Sequence, residues 1–419
     1  MLVPKQQRRF AIEVVERLRR AGFEAYWAGG CVRDQLLGRL PKDYDVATNA
    51  QPNQIRELFG RRRTLAIGAA FGVIVVMGPK PAGLVEVTTF RQEAEYSDGR
   101  HPDRVTFSSA KEDAQRRDFT INGLFFDPVA ERVIDFVGGR ADLAAKLIRA
   151  IGQPRQRFSE DKLRMLRAVR FSAGFEFEME SDTLEAVREM AAQIAVVSPE
   201  RIATEMRRIL VAPSRSTAVR LLLDTGLAPV LLPEIVPADE PGRQRLEHTL
   251  AVLDRLHRPG FPLALAALVY PVVDAAGAEQ LGRRWRLSNQ ETNRVGWLVE
   301  HHAALEHARS TPWSRVQPIL IAEGIDDLLA LAEAVMLAGS GDTSQIAWCR
   351  ARLAEPPDVL DPPPLLTGDD LIRHGVCPGP SFRVLLNRVR EAQLDGEIQT
   401  ADDALALVDR LLEEGLTDD

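Results

Sequence analysis

The sequence predicts an α+β fold, an N-terminal mixed sheet with flanking helices followed by an all-helical remainder. Short β-rich runs crowd into the first 145 residues, at EAYWAG, YDVAT, FGVIVVMG, LVEVTTFR, RVTF and VIDFVGG. From Asp142 onward strand signals almost vanish, and helical patterns separated by Gly, Pro and Ser breaks fill the chain.

Taken in order, RRFAIEVVERLRRAGF places Phe10, Val14, Val15 and Leu18 at the spacing of an amphipathic helix that a glycine ends. Few of the following β-rich runs are long enough to stand alone, so a single sheet is the economical arrangement. Helical patterns then recur at SEDKLRMLRAVRF, SDTLEAVREMAAQI, SPERIATEMRRILV and STAVRLLLDTG. The proline-rich AEPPDVLDPPPLLTGDD marks a break near residue 360, before a last helical segment. The expected parts are a head over 1–145, a helical neck over 146–215, a helical body over 216–355 and a helical tail over 356–419. No repeat of fixed period is visible, which argues against a solenoid.

At 419 residues, with 45% hydrophobic and 27% charged residues, the chain has the composition of an ordinary globular protein rather than a disordered one. No apolar run approaches the roughly 18 residues of a membrane span, and MLVPKQQRRF lacks the apolar core of a signal peptide. Cys31, Cys349 and Cys377 are odd in number and widely spaced, which fits a reducing compartment and argues against a thiolate zinc site. These features predict a cytoplasmic protein. Net charge is −7, but residues 1–220 carry 36 Lys and Arg against 29 Asp and Glu, so the first half is basic and the second strongly acidic. That asymmetry is compatible with a polyanion held mainly by the first half.

Three stretches carry chemistry. In WAGGCVRDQLLGRLPKDYDVAT, a glycine pair precedes Asp43 and Asp45. On a strand these two would project to one face, about 7 Å apart. A solvated turn would relieve their repulsion, and a divalent cation would convert it into a binding site. RRDFTING (Arg116–Gly123) gathers two guanidiniums, a carboxylate, a hydroxyl and an amide, and on its own reads equally as a helix cap with charged neighbours. SEDKLRMLRAVRF (Ser159–Phe171) spaces Asp161, Arg164, Arg167 and Arg170 at i+3 steps, so one helix is expected to present them together, as a solvated basic face or as a site. Aspartate only accepts hydrogen bonds when ionised and arginine only donates. Side by side they match an exocyclic amine next to a ring nitrogen acceptor, which cytosine and adenine offer and guanine and uracil do not. Buried mismatches would cost roughly 1–3 kcal/mol each.

GGCVRD with KDYDVAT, RRDFTING, SEDKLRMLRAVRF and SPERIATEMRRIL stand in the order and near the spacing of the class II tRNA nucleotidyltransferases, the CCA-adding enzymes, and the related bacterial poly(A) polymerases. The chain resembles that family strongly over about residues 20–215, and more weakly through PPPLLTGDDLIRHGVCPGPSFRVLLNRVREAQLDGEIQT. The resemblance implies template-independent addition of C, C and A from CTP and ATP to the 3′ end of tRNA. It makes Asp43 and Asp45 the catalytic ligands of Mg2+, with Glu86 a weaker candidate for a third carboxylate. Gly30, Arg33, Arg117, Asp161, Arg164, Arg167 and Arg170 become the nucleotide-binding residues, with Asp161 and Arg164 reading the base. A poly(A) polymerase or A-adding enzyme is the alternative within the same chemistry. A non-catalytic RNA-binding relative and an aminoglycoside-type nucleotidyltransferase are alternatives of other kinds.

Many relatives carry a metal-dependent phosphohydrolase module after the neck. LEHTLAVLDRLHRPGFPLALAALVYPVVD is similar to its start, but Tyr270 and Pro271 stand where its His-Asp pair is expected, so a helical body without that metal site is anticipated. His248, His301 and His302 are the histidines that bear on this point. In the tail, Arg383, Asn387 and Arg390 recur at i, i+4 and i+7, a spacing that predicts one RNA-binding face opposite Leu385 and Val389. Finally, EAEYSDGRHPDRVTF, with its Asp98-Gly99-Arg100 step, reads as a loop like the one associated in the family with the switch from C to A addition.

Overall fold

The computed structural model describes residues 3–67, 72–94, 104–339 and 341–415. The chain forms two compact units, Met1–Val236 and Pro237–Asp419. The expected head and neck lie within the first, together with residues 216–236 of the expected body; the rest of the body and the tail belong to the second. The loop stretch 95–103 lies outside the described residues.

The first unit opens with α1 (Pro4–Arg20), whose proline sits in the first turn and whose last turn carries Arg17, Arg19 and Arg20, each favourable for the helix dipole. Its Phe10, Val14, Val15 and Leu18 are buried. The strands β1 (Ala25–Ala28), β2 (Asp45–Thr48), β3 (Thr64–Leu65), β4 (Val73–Met77) and β5 (Leu84–Thr89) follow, with α2 (Gly30–Leu36) and α3 (Pro52–Phe59) between them. A separate hairpin of β6 (Arg91–Ala94) and β7 (Arg104–Phe107) comes next. After α4 (Ala110–Gln115), β8 (Leu124–Asp127) and β9 (Arg132–Asp135) complete a seven-stranded sheet of order β3-β4-β5-β2-β1-β8-β9. The sheet is mixed, since β2 and β5 run parallel while the other pairings are antiparallel.

Strand alternation divides the sheet into two unlike faces. One packs Trp27, Val46, Ile74, Val76, Val85 and Val87 against α1 and α3, with Trp27 Nε1 donating to Ala11 O at 3.3 Å. On the other, Ala28, Ala47, Phe90 and Phe125 pack on Ala110 and Ala114 of α4, while Leu84 and Glu86 of β5 stay exposed. The apolar run after RRDFTING is therefore a central strand, and RRDFTING itself is a 3-10 turn (Thr120–Asn122) leading into β8 rather than a helix cap.

Beyond α5 (Gly139–Ala144), α6 (Pro154–Glu160) and α7 (Leu163–Phe175) build the neck, followed by α8 (Ser181–Met190), α9 (Pro199–Leu210) and α10 (Arg215–Asp224). The single helix expected over Ser159–Phe171 is broken. Asp161 has extended backbone (φ −145°, ψ 103°), and its Oδ1 accepts from Leu163 N at 3.1 Å. A short acid that satisfies a free N–H at a helix start competes with helix continuation, which is the physical reason for the break.

The second unit is helical throughout its described residues. Tyr270 ends the helix Phe261–Val269 and packs its ring on His302 at 4.9 Å, while His301 and His302 bond to the carbonyls of Trp297 and Val299. Leu366, Leu371, Leu385, Val389, Ala404 and Val408 form a small core of their own. No helix among the described residues is long and apolar enough to cross a membrane.

Gly139 presses α5 onto the 3-10 turn, because a Cβ there would collide with the carbonyl oxygen of Thr120. Gly139→Ala is expected to destabilise the first unit by about 2 kcal/mol, read as a fall in the denaturant midpoint with an unchanged slope.

Candidate active site

The strand β1 runs straight into the glycine pair. Gly29 has φ +70°, its N–H donates to Leu124 O at 3.0 Å, and a Cβ on it would stand 2.7 Å from Arg117 Nη1. Both the left-handed backbone and the approach of the guanidinium require glycine at this position. Gly30, the residue singled out from sequence, begins α2 and lines the same cleft, but its nearest neighbour would be Arg33 Nη2 at 3.7 Å. Gly29 escaped sequence reasoning because a pair of glycines does not say which one carries the constraint.

Beside this turn lies the start of β2. Tyr44 is buried against Trp27, with ring centroids 4.7 Å apart, so its neighbours Asp43 and Asp45 are left on the exposed side. Asp45 pairs across the parallel strands with Glu86, and Cys31 Sγ sits 3.9 Å from Asp45 O. Solvent reaches the rim of Asp45, yet the surrounding chain strips much of its hydration. That desolvation, with Glu86 and to a lesser degree Asp43 repelling its charge against the pull of Arg117, pushes its carboxyl up to about 6. Burial, helped by Asp45, pushes the Cys31 thiol up to about 12, which makes it inert. Among the described residues no three His, Cys, Asp or Glu side chains converge as a closed cage. The donor set nevertheless fits a hard divalent cation of the kind held by one or two carboxylates together with substrate phosphates, since crowded carboxylates are what such a cation neutralises.

On the other side of the glycine turn opens a cleft of about 520 Å³ whose lining includes Gly29, Gly30, seven arginines, Asp118, Asn122 and Asp161. Carboxylates fix the arginines. Asp113, fully buried on α4, accepts from Arg116 Nε at 2.8 Å and from Arg117 Nη2 at 3.0 Å, and the two cations hold its carboxyl low despite burial. Asp118 accepts from Arg167 Nε at 2.8 Å and Nη2 at 2.5 Å, from Phe119 N at 2.8 Å and from Asn122 Nδ2 at 3.0 Å. Burial alone would raise Asp118, but Arg167 and these donors bring it down to about 2. Asn122 Oδ1 in turn accepts from Arg33 Nη1 at 2.6 Å, and Arg33 stacks over Phe175 of α7 at 4.5 Å. Glu205 of α9 holds Arg170 Nε at 2.6 Å and Arg208 Nη1 at 2.8 Å, and burial lowers Arg170.

The proposed base-reading residues are brought together, though not by helix periodicity. Arg164 lies in the first turn of α7, where Nη1 donates to Glu160 Oε2 at 2.8 Å and Nη2 to Arg116 O at 3.2 Å. Asp161 reaches the same cleft from the break between the helices, with Oδ2 accepting from Arg201 Nη2 at 2.8 Å. Glu160 and Arg201 were not found from sequence as site residues. Their signals were present in the steps from Glu160 to Arg164 and from Arg201 to Glu205, but four-residue charge spacing is too common to select them.

In the tail the three expected RNA contacts do not share one free face. Arg383 and Asn387 are exposed on the helix Ser381–Leu394, whereas Arg390 is turned onto Asp361 Oδ1 and Pro362 O, each at 2.6 Å, where it ties down the proline-rich stretch.

Residues 25–149 match the family described as the poly A polymerase head domain, and residues 176–238 the one described as the probable RNA and SrmB-binding site of polymerase A. The CCA-adding enzyme of Lactiplantibacillus plantarum is 33% identical over 402 residues, covering 94% of this chain and 93% of its own. The chain belongs to the CCA-adding enzyme family. A second member, from Anoxybacillus flavithermus, is 38% identical over 74% of each chain. The crystal structure of the Bacillus stearothermophilus CCA-adding enzyme in complex with CTP superposes with a TM-score of 0.77 at 29% identity over 99% of both chains. The Thermotoga maritima CCA-adding enzyme shares the fold, with a TM-score of 0.65 at 20% identity over 96% of this chain and 95% of its own.

The crowding around Asp45 has a thermodynamic consequence. Its folded pKa of about 6 exceeds that of a free aspartate, so the folded state binds more protons, and stability falls as pH rises from about 4 through 6. Asp45→Asn removes this penalty. Without divalent ions the variant is expected to exceed the parent in stability at pH 7 by about 1 kcal/mol, allowing for solvent screening at the rim, and to lose the advantage below pH 4. Denaturant titrations at the two pH values measure it.

Proposed function

We propose that the chain adds C, C and A from CTP and ATP to the 3′ end of tRNA without a template, releasing pyrophosphate, and that it works in the cytoplasm. The observation that supports this reading best is the cleft itself. An arginine wall suited to a triphosphate meets a fixed acceptor–donor edge, Asp161 with Arg164, next to the strand that begins at Asp45 and the bend before it that carries Asp43.

Asp43 and Asp45 would hold Mg2+, which when bound lowers the charge on the phosphates and acidifies the attacking 3′-hydroxyl. Gly29 admits the nucleotide phosphates to the head of α2, where the cleft arginines supply guanidinium forks. Arg116 and Arg117 present donors already ordered by Asp113, so little side-chain freedom is lost on binding. Asp161 accepts the exocyclic amine of cytosine or adenine, and Arg164 donates to the adjacent ring nitrogen. Glu160 and Arg201 orient that edge and leave guanine and uracil with mismatched partners. Exposed Arg383 and Asn387 serve in this reading as tail contacts to RNA phosphates.

The test incubates the protein with tRNAs ending before the first C, after one C and after two, with each nucleoside triphosphate, and sequences the products. Exact completion to CCA is expected. Long adenosine tails on any 3′ end would instead identify a poly(A) polymerase. Asp43→Ala or Asp45→Ala is expected to cut incorporation by about a thousandfold or more while tRNA affinity stays within about twofold.

A separate outcome is expected for base reading. Asp161→Ala should reduce the efficiency ratio of CTP over UTP by about tenfold or more, an amount set by one lost buried hydrogen-bond match. An unchanged ratio, measured as kcat/KM for each nucleotide, would remove Asp161 from that role.

A further inference from the structure

The uncovered part of the head sheet carries a feature that the nucleotide cleft does not use. Cross-strand register aligns Asp45 with Glu86, Glu86 with Val75, and Val75 with Leu65, a row running from the catalytic strand to the sheet edge. Three strand spacings make its length about 14 Å. In the next row Met77 pairs with Leu84. Leu84 is 55% exposed and Leu65 38% exposed, so this lane has an open apolar floor. At its outer end, immediately before Thr64, the one-turn 3-10 helix Arg61–Arg63 exposes three consecutive arginines. Arg63 Nη2 donates to Met77 O at 3.4 Å, which places the turn at the end of the sheet from which Asp45 starts. No carboxylate among the described residues pairs with any of the three.

The topology leaves this lane for one kind of occupant. The nucleotide cleft is built from the turn after β1, the turn before β8, and the neck helices, all on the β1 side of β2. In-line displacement requires the attacking hydroxyl to lie opposite the leaving pyrophosphate, which directs the primer to the β5-β4-β3 side. A single-stranded RNA end combines bases that pack on apolar surface with phosphates that need unpaired cations, and the lane offers both. We propose that this lane binds the single-stranded 3′ segment of the RNA, with Leu65 and Leu84 under its bases and Arg61–Arg63 on its phosphates. The proposal rests on the nucleotidyl-transfer reading above.

The test compares the parent with Arg61→Ala/Arg62→Ala/Arg63→Ala on tRNA ending before the first C. The KM for tRNA at about 0.15 M salt is expected to rise about tenfold while the KM for CTP stays within about twofold. The slope of log affinity against log salt should become shallower by about 2, since each single-strand phosphate contact contributes about 0.7. The corresponding triple lysine variant should recover most of the loss, and Arg62→Glu, a single exposed change, should reproduce it if the triple variant proves unstable. Benzoylphenylalanine in place of Leu65 should cross-link to the last nucleotides of the RNA. An unchanged tRNA KM and salt slope in the folded variants, or a cross-link to a second copy of the protein or to a distant part of the RNA, would overturn the lane while CCA addition by the parent stands. A parent that extends no RNA would overturn the underlying reading, and the lane with it.

Discussion

The active site depends first on the pair formed by Asp118 and Arg167. Asp118 belongs to the turn that leads into strand β8, and Arg167 to the neck helix α7, so two guanidinium N–H groups on one carboxylate oxygen, Asp118 Oδ2, join sheet to helix at the floor of the cleft. The pair extends through Asn122 to Arg33 and through Arg33 to the rings of Phe171 and Phe175. Removing one partner of such a buried pair leaves the other charge without compensation, a loss of about 3–5 kcal/mol. Replacing both with apolar groups could be neutral for stability, which separates what the pair does for the fold from what it does for the site. It sets the angle at which α7, and with it Arg164, meets the glycine turn.

From this constraint follows the electrostatic character of the cleft. Seven arginines in one concavity would repel one another strongly if they were free. Asp113, Glu160 and Glu205 stand behind them, each engaging at least two guanidiniums, and Asp118 holds Arg167. The carboxylates occupy some N–H groups and orient the others, so the wall is ordered before any polyanion arrives. Such an arrangement favours a triphosphate through preorganisation as well as through net charge. It also explains how a chain with an overall charge of −7 presents a basic site, because the sign that matters is set within a few ångströms, inside the screening length.

Much of this was legible in the sequence because it depends on residue type at short range. The alternation around Asp45 and the periodicity of α1 give the sheet face and the packed helix directly. The charged motifs could be joined into one site only through their resemblance to a known family. What could not be read was long-range pairing. Nothing near Asp118 announces Arg167, 49 residues later, and the two could equally have been solvated. Arg390 had the spacing of a surface contact, but its partner Asp361 lies in the proline-rich stretch and turns it inward. The break at Asp161 was hidden for a different reason. The apolar pattern on either side is helical, and only the local competition of an aspartate for the N–H of Leu163 decides against continuity.

In the proposed reading, where Asp161 and Arg164 read the base, that break changes how the reading would work. Had Asp161 continued the helix, its direction would be tied to Arg164 by a fixed turn, and any shift of α7 would move both groups together. As a residue between helices it is held by the N–H of Leu163 on one oxygen and by Arg201 of α9 on the other, while Arg164 is held by Glu160 of α6 and by the carbonyl of Arg116. The acceptor and donor halves of the edge therefore belong to different supports. One pocket must accept cytosine at two successive steps and adenine at the third, and the two bases place their amine and ring nitrogen at different distances from the sugar. Independent supports allow the acceptor and the donor to adjust separately by small rotations. In that reading each would stay hydrogen-bonded to its partner during the adjustment, which would keep the unbonded alternatives costly and preserve the rejection of guanine and uracil.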